Sequence, residues 1–224
     1  RSRYRGMERT GEPHRWGPAI ARDGRRIAFT VRRSGQTRLY VANLDGSDVR
    51  VDSSSLELQG GPAWAPDGQS ITVAAVVDRV PRLFNVPVGG RSPARLIEEY
   101  SLDPAWSPDG KMILYSGPDI GTTFPVKAAN ADGSAYALPD LTLTRGARHL
   151  TFMGGRRSIV ALRGEIRYKN LWLIDLETGA ERQLTNFPSD FHVRDFDVSA
   201  DGRQIVLEQI EDHSDIILIE AARR

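Results

Sequence analysis

The chain has 224 residues, 40% hydrophobic and 26% charged, with a net charge of +1 from 30 basic and 29 acidic groups; that is enough apolar material for a core and too little charge excess to favour nucleic acid. It has no cysteine, which excludes a disulfide framework, a thiolate nucleophile and cysteine-ligated metal sites. No run approaches the roughly 18 apolar residues of a membrane span, and the opening RSRYRGMERT has neither the apolar stretch of a signal peptide nor an initiating Met, so the chain is expected to be cut from something longer.

In chain order, residues 1–16 read as a linker with a short closing strand over 3–8. The first repeat, 17–51, has a turn at Asp23-Gly24, a strand RIAFTV from Arg26, a strand RLYVAN from Arg38, a second turn at Asp45-Gly46 and a short VRV from Val49. The second, 61–97, repeats this with Asp67-Gly68, SITVAA, RLFNVP, Gly89-Gly90 and ARLI. The third, 103–141, has Asp109-Gly110, KMILYS, TFPVKA and Asp132-Gly133. The fourth, 148–184, is degenerate at Gly154-Gly155 and then gives SIVAL, NLWLID, Thr178-Gly179 and RQL. The fifth, 194–220, has Asp201-Gly202, QIVLE and DIILIE. The period is about 44 residues, the size of one propeller blade.

Asp-Gly and Gly-Gly between β-rich runs are hairpin signals, and tight primed turns with positive φ are expected there. Each repeat therefore reads as four antiparallel strands, A to D. One such unit cannot bury both faces alone, so the units must stack. The fold class is all-β: a β-propeller of four-stranded antiparallel blades in a single domain over 1–224. It is either a five-bladed ring, closed by 3–8 pairing with 215–220, or a fragment of a six- to seven-bladed one. Trp64 and Trp106 stand three residues before their turns and read as inter-blade core rather than ligand-stacking aromatics.

The stretch PAWSPDGKMILYS, with strands of the RLYVANLDGS type, resembles the TolB-type propeller repeat, also called the WD-like or PD repeat. The resemblance covers about 17–220 in five copies. The final stretch from QLTNFPSDFHVRDF onward resembles the last blade of propellers fused behind bacterial Ser/Thr kinases or winged-helix regulators. That resemblance implies a C-terminal sensory or scaffold module of a larger signalling protein, in a periplasmic or other extracytoplasmic location. The repeat motif carries no catalytic residues to transfer.

The residues themselves give no G-x-S-x-G elbow, no H-E-x-x-H and no Walker loop. Asp190, His192, Asp195 and Asp197 lie close in sequence. On an alternating strand His192 would point away from Asp195 and Asp197, so no metal site is expected there. No cofactor is expected, and the chain reads as a non-enzymatic monomer.

Function in a propeller lives on its loops. The A–B and C–D turns share one end of each blade, and the B–C and D–A connections share the other. The B–C connections read as longer and less uniform, which marks that end as the surface for a protein or peptide partner. Candidate binding residues there are Arg33, Arg79, Tyr168, Arg194 and His213. Asp103, Arg148 and Asp195 stand six residues before their turns and are expected at the mouth of a central channel. The alternative function is a propeller attached to a prolyl-oligopeptidase-type peptidase or another hydrolase.

Overall fold

The computed structural model describes residues 17–52, 56–144, 150–153, 157–165, 168–199 and 202–210, with the side chains of Arg194 and Ile210 outside that description. The described secondary structure is β-strand throughout. Blade 1 holds β1 (Ala19–Ile20), β2 (Arg26–Arg33), β3 (Gln36–Asn43) and β4 (Arg50–Val51). Blade 2 holds β5 (Leu58–Trp64), β6 (Ser70–Val77), β7 (Val80–Pro87) and β8 (Ala94–Arg95). Both are antiparallel sheets with their strands in sequence order.

Blade 3 holds β9 (Leu102–Trp106), β10 (Met112–Ser116), β11 (Thr123–Asn130), β12 (Ala135–Tyr136) and β13 (Thr142–Thr144). Its outer strand is split: β12 pairs with the end of β11 and β13 with its start. Pro139 lies in the interruption, where a residue lacking an N–H suits a break in a ladder. Blade 4 holds β14 (Leu150–Phe152), β15 (Ser158–Gly164), β16 (Lys169–Asp175) and β17 (Glu181–Gln183). Blade 5 is described over β18 (His192–Val198) and β19 (Ile205–Ile210). The strand expected from Asp215 and the pairing of 3–8 with 215–220 lie outside the described residues. The all-β class and the A-to-D meander read from the sequence are the observed ones.

The turn type is a correction. Gly24, Gly68, Gly110 and Gly202 have φ of 67, 67, 70 and 68° as expected, but the aspartates before Gly24, Gly68 and Gly110 do not have positive φ. A primed two-residue turn would need it at the first central position in either form. Instead the A–B connections of blades 1 to 3 are four-residue loops. Ala65 N–H bonds Ser70 O at 3.0 Å and Gly68 N–H bonds Ala65 O at 2.8 Å. The Asp67 carboxylate accepts the Gln69 N–H at 2.9 Å, so the side chain completes the turn that a second left-handed residue would otherwise make.

The primed geometry occurs at the opposite end, where longer loops were expected. Val77 pairs with Val80 across Asp78 and Arg79, which have φ of 52 and 65°. Arg33 pairs with Gln36 across Ser34 and Gly35, at 50 and 81°. The B–C connections of blades 1 and 2 are thus two-residue turns, while those of blades 3 and 4 are longer. An Arg in the left-handed region costs ~1–2 kcal/mol, whereas Gly there costs only chain entropy of ~0.5–1 kcal/mol. The double change Asp78→Asn, Arg79→Gly is therefore expected to stabilise the chain by roughly 0.5 kcal/mol, read as a higher urea midpoint at unchanged slope. A lower midpoint would show that the native turn is unstrained.

The chain packs as two compact units, one ending at Pro104 and the other starting at Ala105, so β9 straddles the boundary. In the first unit, Ala28, Leu39 and Val41 of blade 1 pack on Leu58, Trp64, Ile71, Val73, Phe84 and Val86 of blade 2. Trp64 sits at this seam: its indole N–H bonds Ala19 O of blade 1 at 3.0 Å. Arg26 of blade 1 lies 4.8 Å from the Trp64 ring and donates to Gly68 O at 2.9 Å. Trp64 is inter-blade core as expected, and Trp106 is half-buried.

In the second unit, blade 3 presents Met112, Leu114, Phe124, Val126 and Ala128 to Leu150, Phe152, Ile159, Ala161 and Ile174 of blade 4. The other face of blade 4, with Val160, Leu162 and Leu171, packs on Val193, Phe196 and Val198 of blade 5. The inner strand β15 of blade 4 thus alternates between two seams, which explains why its run SIVAL is buried on both faces, as for a strand covered on both sides.

Candidate functional site: the loop ends of the blades

The turn ends of blades 1 to 4 are chemically occupied. In blade 3, Asp109 accepts from the Ser107 hydroxyl at 2.6 Å and the Lys111 N–H at 3.1 Å. In blades 1 and 3, Asp45 and Asp132 accept the N–H groups of Ser47 and Ser134 at 2.9 Å. Asp175 accepts the backbone N–H groups of Glu177 and Thr178. The Ser107 hydroxyl holds Asp109 below its ordinary carboxylate value, the Ser47 and Ser134 hydroxyls do so for Asp45 and Asp132, and the Thr178 N–H leads for Asp175.

These shifts fix a sign. A carboxylate favoured by folding contributes its full stability above its unfolded value near 3.9. That contribution is lost as pH falls through the lower folded value. Asp109→Ala is therefore expected to lower the melting temperature at pH 7, with the gap to wild type closing as pH drops below about 4. A gap that does not depend on pH would rule out a charge-dependent role for this turn.

The opposite end carries Arg33, Arg79 and Tyr168 of the predicted residues. In the first unit, Arg33 ends β2 and Arg79 forms the tip of the β6–β7 turn, both exposed. Arg33 borders a shallow groove of about 260 Å³, with Val31, Ser34, Gln36, Arg38 and Tyr40. Asp103 in β9 is half-buried and has a φ of 52°. It lies beside β5, where a Cβ on Gly60 would stand 3.7 Å from its carboxylate.

In the second unit, Tyr168 closes the β15–β16 connection, with its N–H on Glu165 O at 3.2 Å. It is 50% exposed, and its ring meets His192 edge-on at 6.4 Å. The neighbouring D–A connection is pinned by Asn170, whose side-chain oxygen accepts the Phe187 N–H at 2.8 Å and the Thr185 hydroxyl at 3.1 Å. Within that loop Phe187 stacks on Phe191 at 4.4 Å. Tyr168 thus stands half exposed beside a D–A loop whose Phe187 and Phe191 pack against the seam between blades 4 and 5.

Blade 5 corrects the expected strand alternation. A bulge between Val193 and Asp195 pairs Asp195 with Glu208 directly after Val193 with Gln209. One extra residue shifts the side-chain period. Val193, Phe196 and Val198 therefore share the buried face, and His192, Asp195 and Asp197 share the other. They do not point apart as strict alternation predicts. Even so, no group of three His, Asp or Glu among the described residues is placed to hold a metal ion. Arg148 and His213 lie outside the described residues, and of Arg194 only the backbone, at the bulge, is described.

Arg33 is thus placed with Arg38 and Tyr40, and Tyr168 with His192; each group belongs to one unit. Sequence reasoning missed Arg38, Tyr40, Asn170, Phe187 and Phe191. The available signal was the polar and aromatic content of NFPSDF in a D–A connection.

Antiparallel meanders of one period, packed through seams within each unit, are the pattern of propeller blades, and a model of the TolB beta propeller domain matches residues 9–224. The chain belongs to the TolB β-propeller domain family. No curated protein matches this TolB-type chain in sequence. Among solved structures it is similar to the putative TolB from Agrobacterium tumefaciens, at 18% identity over 88% of this chain and 70% of that one, with a TM-score of 0.69. TolB from Acinetobacter baumannii gives 18% identity over 73% of this chain and a TM-score of 0.61, and the match spans only 41% of that protein. A Mycobacterium tuberculosis puromycin-hydrolyzing peptidase gives 17% identity over 75% of this chain and 28% of that one, with a TM-score of 0.57. At these identities the structural likeness of the TolB-type chain to them is one of fold.

Proposed function

We propose that this TolB-type propeller is a non-enzymatic interaction module that captures a protein or peptide through the B–C and D–A end of its blades, as the C-terminal part of a larger bacterial signalling protein. The observation that carries the reading is Tyr168. It is half exposed, set against His192, and beside a loop fixed by Asn170. Exposed aromatics on a rigid base are typical interface anchors, because little side-chain freedom is lost on binding. Arg79 adds to this: a non-glycine residue held in a left-handed turn at an exposed tip marks a position where function can outweigh local strain.

The carboxylates with shifted protonation equilibria all serve turns, which favours structural over catalytic roles for them. The similarity to a peptidase supports a second reading, a propeller that accompanies a hydrolase domain.

The test compares capture of partners from a cell extract by immobilised wild type, by Arg79→Glu with Tyr168→Ala, and by Asp45→Lys with Asp132→Lys at the turn end. Loss in the first variant alone, with both variants folded, is the expected result. Equal loss from both ends, or none, would overturn the proposal.

A further inference from the structure

The seam between blades 1 and 2 opens at its turn end into a cavity of about 560 Å³, within the range of small-molecule sites, roughly 300–1,000 Å³. Both blades belong to the first unit, and the cavity lies beyond the ends of their strands rather than on a sheet face. Blade 1 supplies Arg26, the first residue of β2. Blade 2 supplies its A–B loop, 67–70, and Val88 and Arg91 beyond the end of β7.

Arg26 is fixed by its own blade and by blade 2. Its guanidinium carbon lies 4.8 Å from the centroid of the Trp64 ring. Its Nη2 donates to Gly68 O at 2.9 Å and stands 3.6 Å from the Asp23 carboxylate. Gly68 lets the guanidinium close on the turn, since a Cβ there would stand 2.9 Å from that Nη2. No acceptor among the described residues meets Nε or Nη1. Arg91, in the same lining, is exposed and has no partner among the described residues. The Gln69 amide and the Ser70 hydroxyl add neutral donors. Asp67 is the carboxylate of the lining: Oδ1 accepts the Gln69 N–H at 2.9 Å, and Oδ2 meets no donor among the described residues.

We infer that this cavity binds a small phosphorylated molecule that carries hydroxyl groups, with its phosphate between Arg26 and Arg91 and a hydroxyl donating to Asp67. A phosphate monoester has a charge of about −1.5 to −2 at pH 7 and three acceptor oxygens, which matches two guanidinium groups. A carboxylate has two oxygens, and one guanidinium fork satisfies both, so the second arginine would gain it little. The site goes beyond the interaction reading above. It lies at the opposite end of the blades from Tyr168 and takes a small molecule rather than a protein.

The test is isothermal titration calorimetry of the whole chain with glycerol 3-phosphate, glycerate and glycerol as probes. Glycerol 3-phosphate should bind, glycerate at least tenfold more weakly, and glycerol without detectable heat. Arg26→Gln should weaken binding of glycerol 3-phosphate at least tenfold. Because Arg26 also spans the seam, Arg91→Gln is the second variant: it removes an exposed side chain with no partner and should weaken binding as much with the melting temperature unchanged. Added salt should weaken binding in the wild type, since the charges are exposed. Arg25→Gln, on an exposed residue of the same end outside the lining, should bind like wild type. So should Tyr168→Ala, so that this site and the capture of a protein partner fail separately. The inference is overturned if glycerol 3-phosphate does not bind, if glycerate binds as tightly, or if Arg91→Gln binds like wild type. It is also overturned if Arg25→Gln weakens binding as much as Arg91→Gln, since the general positive field of that end would then be the cause.

Discussion

Trp64→Ala is expected to destabilise the chain by about 3–5 kcal/mol, the range for removing a buried aromatic. The side chain is 7% exposed within the core of the first unit. Its loss opens a void at the seam between blades 1 and 2, where shallow sheets offer little to collapse into it. It also leaves Ala19 O without the indole N–H and Arg26 without the ring beneath it. Trp64→Phe keeps most of the apolar area and should cost less, with the lost hydrogen bond adding about 1 kcal/mol. Urea unfolding checks both. A cost below about 1 kcal/mol for Trp64→Ala, the size of an ordinary surface change, would mean that the residue is not seam core.

Gly164→Ala is expected to cost about 3 kcal/mol, the upper end of ordinary point changes. Gly164 ends β15 and pairs with Lys169, at a φ of 134°. A Cβ there would stand 2.1 Å from the Tyr168 carbonyl oxygen. That neighbour is backbone and cannot rotate away, so the end of the hairpin has to open. Gly24→Ala is the contrast. Its φ is also positive, at 67°, but a Cβ there meets nothing within 4 Å, so only the conformational cost of about 1 kcal/mol remains. Because Gly164 sets the position of Tyr168, its substitution should also abolish partner capture, whereas Gly24→Ala should not. Equal melting temperatures for the two variants would contradict this.

The repeat was legible because blades 1, 2, 3 and 5 place a Gly at the same turn position for the same reason. Gly24, Gly68 and Gly110 all hold the left-handed position that closes strand A onto strand B. The turn type was not legible. Asp-Gly suits both a primed turn and this longer loop, and the choice depends on whether the Asp carboxylate caps the N–H two residues on, as Asp23 and Asp67 do. One of the two primed turns fell on Asp78-Arg79, a pair without glycine, between eight-residue strands.

The site was legible only in part, for a similar reason. Arg33, Arg79 and Tyr168 could be placed at the B–C end from the sequence, because the place of a B–C connection in a meander follows from strand order. The groove beside Arg33 depends on the register that sets Arg38 and Tyr40 across from Val31 and Phe29. The contact of Tyr168 with His192 joins two blades, and no local pattern encodes it. The bulge at Arg194 turned His192 onto the face of Asp195 without a glycine to announce it.

The most direct measurement of the central claim is site-specific photo-crosslinking with benzoylphenylalanine in place of Tyr168, or in place of Asp132 at the turn end, in the presence of cell extract. Discrete adducts from position 168 and none from position 132 are the predicted result. Adducts from position 132 with none from 168 would contradict it and move the binding surface to the turn end.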